Sequence, residues 1–368
     1  LSSERIYSDN FRDLFIHQRP LIDVRAPIEF QQGHLPGAIN LPILNNEERE
    51  IIGTIYKQQG QAAAVAKGYS LVSGETKESR IKLWRDHINA NPSAVLYCFR
   101  GGQRSQITQK WLSEIGVNCP LIEGGYKVAR KYLMEVLEQV AVRSKLMIIS
   151  GPTGSGKTQL IKAASQFCPS LDLEGFANHR GSAFGAMTTP QPSQVNFENV
   201  LATNLLCLEG KFLLDQALLV EDESRLIGRI HIPEHLFSIM RSSQVIWLDE
   251  PLDARVENIF KDYILDSGIV RGRAFEVYSQ YRKALLAIQK KLGGLRTQEI
   301  LGDLNLAEQI FLSQTDLLPN KVWIEKLLRY YYDPLYLGSL ERRQVKVFFR
   351  GSFQACLNEI RQNNGNFF

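Results

Sequence analysis

Residues Leu146-Met-Ile-Ile-Ser-Gly-Pro-Thr-Gly-Ser-Gly-Lys-Thr158 read LMIISGPTGSGKT. An apolar run leads into a glycine-rich turn, and the residues from Thr158 to Phe167 have helical character. Strand, loop and helix in that order are the context required by the pattern G-x-x-x-x-G-K-[ST]. Backbone N–H groups from Gly154 to Thr158 would hold a phosphate or diphosphate. Lys157 would neutralise it, and Thr158 would reach a magnesium ion if one accompanies the ligand. Gly151, Thr153, Gly154, Ser155, Gly156, Lys157 and Thr158 are therefore the candidate phosphate-binding residues. Such a loop specifies the group that is held and not the reaction. A nucleoside triphosphate and a diphosphate-bearing organic substrate fit it equally. Two more apolar runs, 217–221 and 244–249, extend the α/β rhythm and end in acids, Glu221-Asp222 and Asp249. Glu221 and Asp222 follow the longer run and rank first as acidic partners of such a metal.

Working toward the N-terminus, short apolar strands are expected at 21–25, 38–41, 94–97 and 120–123. Helical patterns lie at 47–59 and 103–115, and another runs from Gly124-Gly125 to about residue 143. Strands alternating with helices imply a parallel sheet covered on both faces. The run 94–97 ends in Cys98-Phe-Arg-Gly-Gly-Gln-Arg-Ser105. Ligands of open α/β sheets bind at the carboxyl ends of strands. Glycines let the loop curl its N–H groups inward, and the following helix adds a positive end. The expected result is a nucleophilic Cys98 whose thiolate is favoured by those donors and by Arg100 or Arg104. Arg100, Gly101, Gly102, Gln103, Arg104 and Ser105 form the candidate anion-binding loop. The spacing C-x5-R suits phosphocysteine chemistry as well as sulfur or selenium transfer.

The 368 residues suggest two or three domains. With 44% hydrophobic and 22% charged residues the composition is that of a globular chain. No run has membrane-spanning length and no signal-peptide pattern is present, so neither a membrane nor secretion is expected. Five scattered cysteines without a C-x-x-C pair argue against a disulfide framework or a zinc ribbon and for a reducing, cytoplasmic setting. The net charge of +4 is small, but Arg271, Arg273, Arg282, Lys283, Lys290, Lys291 and Arg296 cluster within a mostly helical C-terminal stretch. They are read either as a solvated helix face or as a nucleic-acid footprint. The pattern His231-Ile-Pro-Glu-His235 is discounted as a zinc site because Pro233 should open a helix that leaves His231 outside. Trp323 and the tyrosines at 330–332 and 336 could stack on bases or build a core. The polar tail at 361–366 is expected to fray.

Leu21-Ile-Asp-Val-Arg25, Phe30 and Gly33-His-Leu-Pro-Gly-Ala-Ile-Asn40 ahead of the cysteine strand together resemble the rhodanese family. The loop is one residue longer than the common rhodanese form C-x-x-G-x-R-S. That length keeps a phosphatase reading open, while Tyr97 before the cysteine favours chalcogen transfer. The order rhodanese then phosphate loop resembles the bacterial tRNA 2-selenouridine synthase family. The resemblance is carried by the Cys98 loop, the 151–158 loop, Leu173-Glu-Gly-Phe-Ala-Asn-His-Arg-Gly-Ser182 with Phe184-Gly185, and Val220-Glu-Asp-Glu-Ser-Arg225 with Ile227-Gly228.

That resemblance implies an α/β chain with a rhodanese-like parallel-sheet domain over 1–140 and a P-loop NTPase-like domain over 145–252. A mostly helical, basic region over 253–368 would contact tRNA. It implies a transferase that replaces the sulfur of wobble 2-thiouridine in tRNA by selenium carried on Cys98. Selenophosphate would be the donor, selenophosphate synthetase its source, and an S-geranylated base made from geranyl diphosphate the intermediate. No tightly bound cofactor and no resident metal are expected. Asn178, His179, Arg180, Ser182, Glu221, Asp222, Glu223 and Arg225 are candidate contacts to substrate or metal, with a loop brace as the alternative for the first four. The competing reading is a C-x5-R phosphatase fused to a small-molecule P-loop kinase.

Overall fold

The computed structural model describes residues 4–143, 145–187, 189–212, 216–343 and 345–367. The chain forms two compact units, Leu1–Val140 with Pro192–Lys211, and Ala141–Gln191 with Phe212–Phe368. Each is built on an all-parallel five-stranded sheet.

In the first unit the strands are β1 (Arg5–Ile6), β2 (Leu21–Asp23), β3 (Ala38–Asn40), β4 (Val95–Tyr97) and β5 (Leu121–Ile122), in the order β1-β5-β4-β2-β3. Every residue of β2 and β4 is buried, as expected for a parallel sheet covered on both faces. Ile22, Leu96 and Leu121 pack with Trp84, Trp111 and Leu112 from the covering helices. The helix expected at 47–59 is observed within Asn46–Leu71, which breaks at Gly60. Its start is a reciprocal cap: Glu48 N–H donates to Asn45 Oδ1 and Asn45 N–H to Glu48, both at 2.8 Å.

Asp23 is the polar exception in β2. It is 0% exposed and pairs with Arg25, itself 2% exposed. Arg25 donates to both carboxylate oxygens and, at 2.6 Å, to the Gly33 carbonyl. The guanidinium lies 4.2 Å from the centre of the Tyr126 ring. Asn40 donates to the carbonyls of Asp23 and Arg25. The residues that carry the rhodanese resemblance thus tie β2 to the 33–40 turn.

Helix Gln194–Lys211 belongs to the first unit, although the sequence places it inside the segment 145–252. It buries Phe197, Leu201, Leu205 and Leu206. Asn196 and Asn199 hydrogen-bond the backbone of His34. A Cβ on Gly33 would lie 2.5 Å from Val195 Cγ1, so only glycine permits this approach. An amphipathic pattern says that one helix face is buried and not which sheet covers it.

In the second unit the strands are β6 (Leu146–Ser150), β7 (Ser170–Leu171), β8 (Leu218–Glu221) and β11 (Gln244–Leu248), completed by β12 (Val347–Gly351). Their order is β12-β11-β6-β8-β7. A small hairpin pairs β9 (Leu226–Ile227) with β10 (Ile230–His231). His231 therefore lies in a strand, and the helix Glu234–Ser242 starts after Pro233, as the sequence suggests. The C-terminal stretch does more than form helices: β12 extends the phosphate-loop sheet, and helix Phe353–Asn363 buries Cys356, Leu357 and Ile360 against it. The tail does not fray up to Phe367. Gly365 O accepts from Ala217 N–H at 2.7 Å, and Phe367 is buried. Trp323 belongs to the core of the helical part with Tyr278, Ile300 and Leu304, so it is unavailable for stacking on bases.

Removing one partner of a buried ion pair leaves an uncompensated charge. Asp23→Ala is expected to destabilise the first unit by about 3–5 kcal/mol, read from denaturant unfolding. A loss below about 1 kcal/mol, the range of an exposed pair, would show that Arg25 finds another partner.

Candidate active sites: a cysteine loop and a phosphate pocket

Cys98 follows β4 directly, at the carboxyl end of the strand. The loop is clamped from below. Tyr126 N–H donates to Cys98 O at 2.8 Å and Lys127 N–H to Phe99 O at 3.0 Å. The clamp needs Gly125, which has φ +60°. A Cβ there would lie 2.3 Å from Cys98 O and 2.4 Å from Gly101 N. Gly124-Gly125 thus supports the cysteine loop as well as starting a helix, a role the sequence reading did not assign.

Cys98 is only 3% exposed, so the sulfur expected to act as a nucleophile is covered. Its Sγ turns toward helix Gln103–Glu114, 3.1 Å from Ser105 Oγ and 3.8 Å from Gly102 O. Ser105 is fully buried and so positions the sulfur rather than an external anion. Arg104 does not face the thiol: it makes a two-pronged bond to Glu29, at 2.5 and 3.1 Å. Burial pushes the Glu29 carboxyl up, but Arg104 and the Ala26 N–H outweigh it and hold it below the usual range. Arg100 and Gln103 are exposed, with Arg100 beside the Phe99 ring.

In the second unit the 151–158 loop opens into a pocket of about 780 Å3. Thr153, Gly154, Gly156, Lys157 and Thr158 line it. Ser155 does not: its N–H closes a turn on Pro152 O, and its hydroxyl is buried without a hydrogen-bond partner among the described residues. Side chains from the C-terminal helices brace the loop from outside. Arg255 donates to Thr153 O at 2.9 Å while paired with Asp333, and Asn258 donates to Gly154 O at 2.9 Å. Gly151 N–H donates to Tyr336 Oη at 2.7 Å, and Ser150 Oγ lies within 2.7 Å of the same oxygen. Lys157 folds back onto Gly151 O at 3.2 Å. Burial would lower its pKa, but Tyr336, Glu223, Glu174 and Asp222 around it raise it, so the ammonium stays charged.

The acidic residue that accepts from Thr158 Oγ1 is Glu174, at 2.8 Å, with the Glu221 carboxyl group next to the same hydroxyl and Asp222 turned to Ser150. Glu174 lies one residue into the 173–182 stretch, whose composition gives no hint that this carboxylate reaches the loop. Glu223 joins it: a Cβ on Gly181 would meet Glu174 Oε1 at 2.5 Å and Glu223 Oε2 at 2.7 Å. Glu221 is buried behind them and accepts from Glu174 N–H at 3.2 Å. Asp222 receives Ser150 Oγ at 2.5 Å. Burial pushes the Glu174, Glu221 and Glu223 carboxyls up, Glu221 to about 8; repulsion from Glu174 adds to it at Glu221 and Glu223, and repulsion from Asp172 at Glu174 and Glu221. Asp249 pairs with Arg350 at the edge of the sheet.

Asn178, His179, Arg180 and Ser182 do gather at this pocket. Asn178 is also a brace, donating to Thr189 and Pro190 carbonyls. His179 Nδ1 receives Gly181 N–H, Arg180 lies over the Tyr263 ring, and Ser182 Oγ meets Tyr263 Oη at 2.7 Å. Arg225 is brought to Glu234, away from Glu223. Two π-helical turns, Lys261–Leu265 and Leu328–Tyr332, carry Tyr263, Tyr331 and Tyr332 into the pocket wall. Such turns recur at functional sites.

The basic cluster divides. Helix Ala274–Leu292 buries Val277, Tyr278, Tyr281, Leu285 and Ile288, leaving Lys283 and Lys290 exposed on the other side. Arg282 is committed to Glu308, Arg273 pairs with Glu276, and Lys291 lines the phosphate pocket. The side chain of Arg271 lies outside the described residues.

The profile of the tRNA 2-selenouridine synthase AAA domain matches residues 144–366, and that of the rhodanese-like domain matches residues 8–131. A tRNA 2-selenouridine synthase of Bdellovibrio bacteriovorus is 53% identical over 96% of this chain and 97% of its own length. Relatives of the same name from Nitrosomonas europaea and Shewanella frigidimarina are 51% and 46% identical over the same shares of both chains.

Two outcomes follow from this geometry. Gly125→Ala should displace the cysteine loop, lower the melting temperature and expose the thiol. Faster reaction of Cys98 with a thiol reagent, counted against the Cys98→Ser variant, checks this. An unchanged rate and midpoint would contradict the clamp. Glu221 binds its proton more tightly in the folded chain than in the unfolded one. Its contribution to stability is complete below about pH 4.5 and lost as pH rises through about 8. Replacing it by glutamine should flatten the fall of the melting temperature between pH 5 and 8, and parallel curves for both proteins would contradict it.

Proposed function

The chain belongs to the tRNA 2-selenouridine synthase family, and from that membership we propose that it replaces sulfur by selenium in the wobble 2-thiouridine of tRNA. Selenophosphate supplies the selenium, and an S-geranylated base made from geranyl diphosphate is the intermediate. Family membership of both parts of the chain favours this reading over a phosphatase fused to a kinase.

The observation that carries the proposal is the character of the pocket at the phosphate loop. Lys157 and the loop share the lining with Ile259, Leu335 and the tyrosines 263, 331 and 332, and Ile259 lies directly against Gly154. Apolar and aromatic surface beside a phosphate cradle suits a diphosphate borne on a hydrocarbon chain. In the first step the thiocarbonyl sulfur forms a bond to the terminal geranyl carbon. The carbon–oxygen bond to diphosphate breaks, the leaving diphosphate takes the bonding pair, and the N3 proton of the base passes to water. Lys157 and the loop N–H groups hold the charge that develops. Magnesium, where it accompanies the diphosphate, would be met by Thr158 and Glu174. Among the described residues no group of three or more His, Cys, Asp and Glu side chains is arranged to hold a metal by itself.

The second step belongs to the Cys98 loop. A geranyl thiol leaves the base far more readily than a thiocarbonyl sulfur, so alkylation prepares the carbon for selenium. Selenophosphate is received at the loop beside Cys98. Its selenium bonds to the base carbon as the carbon–sulfur bond breaks. The geranyl thiolate leaves with the bonding pair and takes a proton from water, and water then removes the phosphoryl group from selenium as inorganic phosphate. Because the Cys98 thiol is buried, the loop must shift on its Gly101-Gly102 segment for that sulfur to face the substrate. The exposed Lys283 and Lys290, with Arg273, offer contacts to tRNA phosphates. The setting is the cytoplasm, with selenophosphate synthetase as the source of the donor. Among the described residues no helix is long and apolar enough to cross a membrane.

The test follows both products by mass spectrometry of nucleosides from thiolated tRNA. Cys98→Ser should accumulate S-geranyl nucleoside and make no seleno-nucleoside, while Lys157→Ala should lower geranylation at least tenfold, about the 1.4 kcal/mol of one lost charged contact. Seleno-nucleoside formed by Cys98→Ser, or normal geranylation by Lys157→Ala, would defeat the assignment.

A further inference from the structure

The first unit holds a second cavity that none of the steps above uses. It is a cleft of about 470 Å3 beside the cysteine loop. One wall is Ile52, Tyr56, Val65 and Tyr69 from the helical segment Asn46–Leu71. The other is Ile107 and Trp111 from the helix that follows the loop. Tyr56 and Tyr69 are 57% and 41% exposed, a large apolar surface left to water. The end nearest the loop is polar, formed by Arg100, Gly102, Gln103 and Arg104. Gly102 belongs to both features, since its carbonyl faces the Cys98 sulfur at 3.8 Å. No acidic side chain is among the lining residues, and since Arg104 is paired with Glu29, Arg100 is the cation the mouth presents to an anion.

We propose that this cleft seats the aliphatic chain carried on the sulfur of the alkylated nucleoside while selenium is exchanged at the Cys98 loop. The proposal rests on the reading that an S-alkylated base is the intermediate. The apolar walls match a hydrocarbon chain, and the cationic mouth matches the phosphates of the RNA that bears it. The chain would then hold the base by the group that is about to leave. Binding energy from a non-reacting tail would be spent on positioning the carbon that selenium attacks. Gly68 leaves room for this. A Cβ there would meet only Ile52 Cδ1, at 3.8 Å, so a larger residue would grow into the open cleft without displacing backbone.

The test is calorimetric binding of S-geranyl-2-thiouridine and S-methyl-2-thiouridine to the full chain. The geranyl compound should bind at least about tenfold more tightly, since several buried CH2 groups separate the two. Gly68→Leu should shrink that ratio to about twofold or less, and Tyr56→Ala should reduce it by about threefold, each with little change in melting temperature. Equal binding of the two nucleosides by the wild-type chain would overturn the proposal. So would a ratio unchanged in Gly68→Leu, or in Tyr56→Ala should the leucine variant fail to fold. The underlying reading is probed separately, by supplying S-geranylated anticodon RNA and selenophosphate. If the cleft variants lose geranyl affinity but the wild-type chain makes no seleno-nucleoside, the cleft assignment stands and the intermediate falls.

Discussion

A parallel strand cannot return to its neighbour through a tight turn; every connection must cross back over a face of the sheet. In both units all five strands of the main sheet obey this constraint. The consequence is that strand carboxyl ends and helix N-termini collect along one edge of each sheet, where unpaired N–H groups face outward. Cys98 after β4 and the 151–158 loop after β6 occupy that same position in their respective sheets. Two unrelated loops, one carrying a cysteine and one rich in glycine, thus draw on one architectural property.

Charge is handled differently in the two sites. Around the phosphate loop the carboxyl groups of Glu221 and Glu223 are buried and that of Glu174 is half-buried, with Lys157 as the nearby cation. Desolvation favours their protonated forms, and a bound anion would compete with them for Lys157. At the cysteine loop the cations outnumber the acids, but Arg104 is held by Glu29. The charge of that arginine becomes available to a substrate only if Glu29 releases it.

Chain order and spatial order part company at two places. Helix Gln194–Lys211 leaves the phosphate-loop segment to cover the first unit, and β12 returns from residue 347 to extend the second sheet. The second of these explains why the C-terminal region reads as helical yet cannot be separated from the phosphate-loop sheet. Arg255, Asn258 and Tyr336, all from that region, hold the carbonyls and the first N–H of the phosphate loop.

Apart from the edge strands β1, β7 and β12, the two sheets were legible in the amino-acid sequence, as were the cysteine loop and the phosphate loop. Their signals are local: apolar runs of strand length, glycines at obligatory turns, and a lysine or cysteine at a set distance from both. The buried role of the D-V-R strand and the 33–40 turn was carried by resemblance alone, and the Asp23–Arg25 pair supplies its reason. Glu174 beside Thr158, the Glu29 clasp on Arg104, the Gly125 clamp, the burial of Trp323 and the tethering of the tail were decided only by tertiary structure. Each depends on two segments far apart in the chain meeting at atomic distance, and composition and periodicity within either segment are silent about that meeting.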